Sequence, residues 1–238
     1  MTRMSALLAL ALISTAAWGA AAPESLVSTA EQRAAWGPLA PPVPLAFRHE
    51  WTRTPLQHPV TQADLANQGL DLKLYGPSGR QILTASSPAP SMTAGAPPHI
   101  FTGMCERTCA LALRDKQNFV DLSGLGRIRW AVKVSGMHRI HPILKLADGT
   151  WLVGEHDAGS RFDFLVDEFS VAESRWMKLD IDNVVTRGNW VDMKEVDLTR
   201  VDEIGFTDLM PGSGHGDGGF SDVGWIEVYG KPVPRTAR

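Results

Sequence analysis

The chain has 238 residues, with 23 basic and 26 acidic side chains and a formal net charge of −3 at neutral pH. That balance gives no reason to expect nucleic acid or an anionic membrane surface as a partner. Roughly 215 residues remain once a leader is set aside, enough for one all-β domain with a sizeable core.

The leader is read from residues 1–21. Arg3 supplies the positive start and Ala6 to Ala17 an apolar run, too short to span a bilayer. Cleavage after Gly19 or after Ala21 meets the small-residue rule equally well, and no lipobox cysteine lies nearby. The expected product is exported, periplasmic or extracellular, with no membrane insertion after cleavage and no nucleic-acid partner. Residues 22–44 read as an arm, ending in Gly37-Pro-Leu-Ala-Pro-Pro-Val-Pro44, which can neither continue a helix nor enter a central strand. A single domain is expected over residues 45–232, followed by a short tail over 233–238.

From Leu45 the pattern changes to short extended segments: Leu45 to Trp51, Leu70 to Tyr75 and Gln81 to Thr84. Cys105 and Cys109 follow, and in an oxidising compartment they predict a local disulfide. A metal site would want a second ligand pair, and a redox site would want Cys-x-x-Cys. Ile128 to Val134 alternates strictly, with Ile128, Trp130, Val132 and Val134 on one face and Arg129, Ala131 and Lys133 on the other. Shorter candidates are Arg139 to Leu146, Trp151 to Val153, Phe162 to Val166, Arg175 to Ile181 and Asn183 to Thr186. Asp148-Gly149 reads as a hairpin turn before Trp151. The last strands are Val201 to Asp208 and Val223 to Tyr229. No helical period is sustained after the arm, so the expected fold is an all-β, mostly antiparallel sandwich or jelly roll.

Between the last two strands lies Pro211-Gly-Ser-Gly-His-Gly-Asp-Gly-Gly-Phe220, with five glycines between Gly212 and Gly219. Such backbone approaches a ligand closely. His215 and Asp217 in this loop, with Asp208 before it and Asp222 after it, form a candidate ligand or cation site: His215 is a ligand-binding candidate, and the carboxylates of Asp208, Asp217 and Asp222 suit a structural calcium. The solvated hairpin connection remains the plainer alternative.

A second constellation surrounds the Asp148-Gly149 hairpin: His138, His141 and Lys145 on one side, Trp151, His156 and Asp157 on the other. Together with Arg129 these residues form a candidate ligand-binding face, with histidine and carboxylate also available for acid–base chemistry. Trp151 follows a turn and Trp190 sits in a loop, so both are expected to be exposed and able to stack on a sugar. Trp130 is expected in the core, and the side taken by Trp225 is left open. Among Asp163, Asp167, Glu168, Asp180, Asp208 and Glu227 no facing pair of catalytic carboxylates stands out.

The segments Val120-Asp-Leu-Ser-Gly, Ile128-Arg-Trp-Ala-Val-Lys, Trp176-Met-Lys-Leu-Asp, Val196-Asp-Leu-Thr-Arg-Val-Asp-Glu-Ile-Gly-Phe and Asp222-Val-Gly-Trp-Ile-Glu-Val occur in that order. This series, over residues 117–230, resembles the galactose-binding-like jelly rolls of carbohydrate-binding modules. The resemblance implies a polysaccharide or cell-envelope glycan bound on a concave sheet or at the loop ends, often with a structural calcium. The expected function is carbohydrate binding without catalysis. A lyase or glycosidase using His141 or His156 with Lys145 or Arg129 is the alternative, and a structural domain of the cell envelope is a third reading.

Overall fold

In the computed structural model the described residues are 42–85, 97–210 and 219–235. The expected leader, nearly all of the arm, His215, Asp217 and residues 236–238 lie outside them. From Pro42 onward the chain is one compact unit.

The first strands are β1 (Leu45–Glu50), β2 (Leu70–Tyr75), β3 (Leu83–Thr84), β4 (Ile100–Phe101), β5 (Cys109–Asp115) and β6 (Asn118–Asp121). Then come β7 (Arg127–Val134), β8 (Ile140–Leu146), β9 (Trp151–Gly154), β10 (Leu165–Ser170), β11 (Trp176–Asp180) and β12 (Val185–Trp190). The chain closes with β13 (Val201–Asp208), β14 (Ser221–Tyr229) and β15 (Lys231–Pro234). Among the described residues the helical content is confined to three single 3-10 turns.

These strands form two antiparallel sheets, as expected of a β-sandwich of jelly-roll type. The smaller runs β10-β7-β14-β4-β3, with β1 beside the second half of β14. The larger runs β12-β11-β9-β8-β13-β5-β2, with β6 joining β13 to β15. Strands before Cys105 therefore enter both sheets.

Period-two alternation explains which side chains meet between the sheets. Ile128, Trp130, Val132 and Val134 from β7 face Leu111, Leu113, Ile204, Phe206, Leu144 and Trp176 from the larger sheet in one core. Trp130 is fully buried, as expected, and its indole N–H donates to Asp167 at 2.9 Å. Trp176 is equally buried and donates to the Val171 carbonyl at 3.0 Å. Each large apolar side chain so buried contributes roughly 1.5–3 kcal/mol.

Several boundaries differ from the sequence reading. The segment expected at Phe162 to Val166 begins pairing only at Leu165 and continues to Ser170. Gln81 belongs to a 3-10 turn, and Asn183 lies in a turn before β12. Four strands had no expectation: β4, β5, β6 and β15. In β5 the alternation is between leucine and alanine, so both faces read as apolar and the period is hidden. Its alanines serve close packing. Gly205 of β13 lies so near β5 that a Cβ there would meet the Leu111 carbonyl oxygen at 1.9 Å. The hairpin at Asp148-Gly149 forms as read, with Gly149 at φ +92°.

A bulge in β14 decides which residues face outward. Its register with β7 shifts between Val223 and Ile226. Val223, Ile226 and Val228 all point into the core, and Trp225 is turned to the outer face with Asp222, Glu227 and Tyr229.

Candidate functional site

The residues expected to share one ligand face are divided among three places. Arg129 stands on the outer face of the smaller sheet, reaching Glu227 and Glu168. His141 and Lys145 stand on the outer face of the larger sheet. His141 Nδ1 meets the Gly154 carbonyl at 3.1 Å, and burial lowers its pKa. Lys145 donates to Glu203 at 2.8 Å, and Glu203 also accepts the Tyr75 hydroxyl at 2.7 Å. His156 packs on the core ring of Phe169 and bonds Asp167 at 2.8 Å. Burial works to raise the pKa of Asp167, but the bonds from His156 and Trp130 outweigh it and lower it.

Trp151 corrects an expectation. It is only 8% exposed, packed edge-on against Tyr75 with Lys145 over its ring. Tyr75 reaches it across the small residues of β5 and β13, so a face expected to be open is filled by its own side chains. Trp190 is exposed, as expected, but ends strand β12 instead of lying in a loop, and the Arg175 guanidinium covers its ring at 4.2 Å.

The candidate cation ligands are also separated in role. Asp208 is buried and engaged: it meets His138 Nδ1 at 2.5 Å, accepts the Ser221 hydroxyl at 3.2 Å and accepts the Met210 amide at 3.0 Å. Asp222 lies on the other sheet's outer face. Among the described residues no group of three or more His, Cys, Asp or Glu side chains could hold a metal. The predicted disulfide joins Cys105 and Cys109.

Asp222 opens instead into a pocket of about 370 Å³. Its described lining includes His99, Phe101, Met104, Lys133, Phe220 and Asp222 itself. Strand pairing builds it: Asp222 lies opposite Lys133 of β7 on one side and Phe101 of β4 on the other. The Phe101 and Phe220 rings pack at 5.3 Å, and the Lys133 ammonium stands 5.3 Å from the Phe220 centroid. The disulfide braces the segment between β4 and β5 that carries Met104.

One buried polar atom of the pocket is left without a partner among the described residues. Asp222 is 3% exposed, and its Oδ1 has no hydrogen-bond partner among the described residues. Burial pushes its pKa up to about 8, against the pull of Lys133. His99 donates from Nδ1 to the Pro97 carbonyl at 2.8 Å, which leaves Nε2 as the acceptor of the neutral ring. Burial lowers the His99 pKa, so the ring is held neutral. Nε2 stands 3.8 Å from Asp222 Oδ2, too far for a direct hydrogen bond. One hydroxyl placed about 2.8 Å from each could donate to His99 and accept from the Asp222 acid. Of these residues only Asp222 is singled out by its place in the sequence, as a candidate cation ligand. Lys133 was legible as an outward residue of β7, whereas His99, Phe101 and Phe220 carried no signal.

Beyond the pocket the same face continues along β14. Trp225 lies between the guanidinium groups of Arg48 and Arg129, 5.0 and 5.7 Å from its ring centroid. Glu227 is buried beneath them and holds Arg48, Arg129 and the Tyr229 hydroxyl.

No protein-family model matches this chain, and no curated protein matches it. Among solved structures, the chain is similar to PfGH50B at 10% identity and a TM-score of 0.39, over 71% of this chain and 24% of that one. An exo-beta-agarase is similar at 9% identity and a TM-score of 0.37, over 76% of this chain and 25% of that one. CtCBM11 is similar at 15% identity and a TM-score of 0.36, over 69% of this chain and 86% of that one. The chain thus spans about a quarter of the length of the first two.

Proposed function

We propose that this is an exported carbohydrate-binding protein without catalysis of its own, and that its sugar site is the Asp222 pocket on the smaller sheet. The observation that carries the reading is the Asp222 carboxyl, buried yet with an oxygen left unpaired. A buried unpaired polar group costs about 1–3 kcal/mol, and more when it is charged. A ligand that bonds it offsets that cost. Sugar hydroxyls suit the site because each can donate to His99 and accept from the Asp222 acid at once. The rings of Phe101 and Phe220 offer apolar surface for the C–H face of the same sugar. The disulfide supports an oxidising compartment, in line with export.

The test is a glycan array probed with the mature protein, beside the Asp222→Ala and Phe220→Ala variants. Binding to one group of glycans, lost in both variants, is the expected result. No binding to any glycan by the unaltered protein would refute the reading. One observation favours a second reading, a glycan-active enzyme: an acid kept protonated near neutrality beside a neutral histidine is an acid–base pair. Incubation of the bound glycan with the protein separates the two, because new reducing ends appear only if the pair is catalytic.

A further inference from the structure

We infer that the pocket selects acidic sugars, with the carboxylate of a uronate-type residue seated on the Lys133 ammonium beside Asp222 and His99. The inference rests on the carbohydrate reading above and deepens it by naming the ligand class.

Lys133 projects into the pocket from β7, and its ammonium makes no ion pair with a described residue; its partner is the Phe220 ring. The other basic residues of this sheet's outer face are spent differently. Arg48 is held by Glu50 and Glu227, Arg127 by Glu168, and Arg129 by Glu168 and Glu227. Lys133 therefore stands out on this face as a cation with no carboxylate to neutralise it.

Asp222 does not supply that carboxylate. It faces Lys133 across the sheet, yet its burial keeps it protonated near neutral pH. His99, on the segment leading into β4, is neutral, and the positive charge of Arg53 acts on it as well as that of Lys133. The residues lining the pocket thus present one full positive charge, one acid O–H donor and one imidazole acceptor, with Arg53 outside the lining. A ligand carboxylate satisfies the first two together: one oxygen pairs with Lys133 and the other accepts the Asp222 proton. The neighbouring hydroxyl meets His99. A neutral sugar would satisfy His99 and Asp222 but leave the ammonium unpaired.

The experiment is calorimetric titration of the full mature chain with hexuronate oligomers of gluco, galacto, manno and gulo configuration. Each is compared with its carboxyl-reduced counterpart, which keeps the ring and loses only the charge. At least one acid form is expected to bind about tenfold more tightly than its reduced partner. Lys133→Met should erase that preference, bringing the affinities for the acid form and its reduced partner to within about twofold of each other. Lys133→Arg, which retains the charge, should keep the preference and also guards against a folding defect in the methionine variant. If reduced sugars bind as tightly as their acids, or if Lys133→Met keeps the preference, the inference falls and the carbohydrate reading stands. If no acid or neutral sugar binds the unaltered protein, both fall together.

Discussion

Tyr75 on β2 and Trp151 on β9 meet edge to face, ring centroids 4.9 Å apart, although β5, β13 and β8 lie between their strands. In a flat sheet four strand spacings would separate them by about 19 Å. The larger sheet must therefore curl, and it can do so because Ala110, Ala112 and Gly205 leave room above its middle strands. The hollow so formed is occupied by the protein's own rings, with Lys145, Glu203 and the Tyr75 hydroxyl closing a polar network beside them. The face that had the look of a glycan groove is a second small core.

Removing that clasp should cost stability and leave binding alone. Tyr75→Phe deletes the hydroxyl that Glu203 accepts and is expected to destabilise the fold by about 1–2 kcal/mol. Trp151→Ala should cost about 3–5 kcal/mol. Denaturant melts measure both losses. Glycan affinity of the phenylalanine variant should change less than twofold, since the pocket lies on the other sheet; a loss of binding would move the site to the larger sheet.

Asp222 makes the pocket costly at neutral pH. Its folded pKa is raised from 3.8 to about 8, so its contribution is fully present below pH 3.8 and is lost as pH rises through 8. Lys133 and His99 face it and do not reverse the sign. Asp222→Asn is expected to be more stable than the parent at pH 8 by on the order of 5 kcal/mol, with the gain shrinking toward pH 4. Melting temperatures across that range would show a constant difference if Asp222 were ordinary.

His49 predicts the opposite dependence. It is fully buried beside Trp51, neither ring nitrogen has a partner among the described residues, and burial lowers its pKa to about 4. The folded state holds it neutral where the unfolded chain would protonate it. Its stability contribution is present above pH 6.5 and is lost as pH falls toward 4, by up to about 3 kcal/mol. His49→Phe should flatten this acid limb, which melts between pH 7 and pH 4 would reveal.

Reducing the Cys105–Cys109 bridge should touch both stability and the site. The closed loop is short, so the loss of stability is expected to be about 2 kcal/mol. Met104 lies beside Cys105 in the pocket wall, so ligand affinity should fall on addition of dithiothreitol. An unchanged affinity would place the bridge outside the construction of the site.

The two-sheet character was legible because strands such as Ile128 to Val134 and Val201 to Asp208 alternate cleanly, and period two has one physical meaning. β5 escaped because alanine is apolar on either face. The site was legible only in part. Asp222 was singled out, but as a cation ligand, since nothing local reveals that Phe101 and Lys133 flank it from strands 121 and 89 residues upstream in the chain. Trp225 could not be placed because strict alternation puts it beside Val223, and a bulge in β14 reverses that.

The amino-acid sequence by itself determined the class of fold, the strands with strong alternation, the hairpin at Asp148-Gly149 and the pairing of its two cysteines. These depend on neighbours within a few residues. Only the tertiary structure decided that the larger sheet's hollow is filled, that Arg129 is parted from His141 and Lys145, and that one oxygen of Asp222 has no hydrogen-bond partner among the described residues. Those facts depend on sheet curvature, register and a single bulge, which arise from packing between distant segments and leave no local mark.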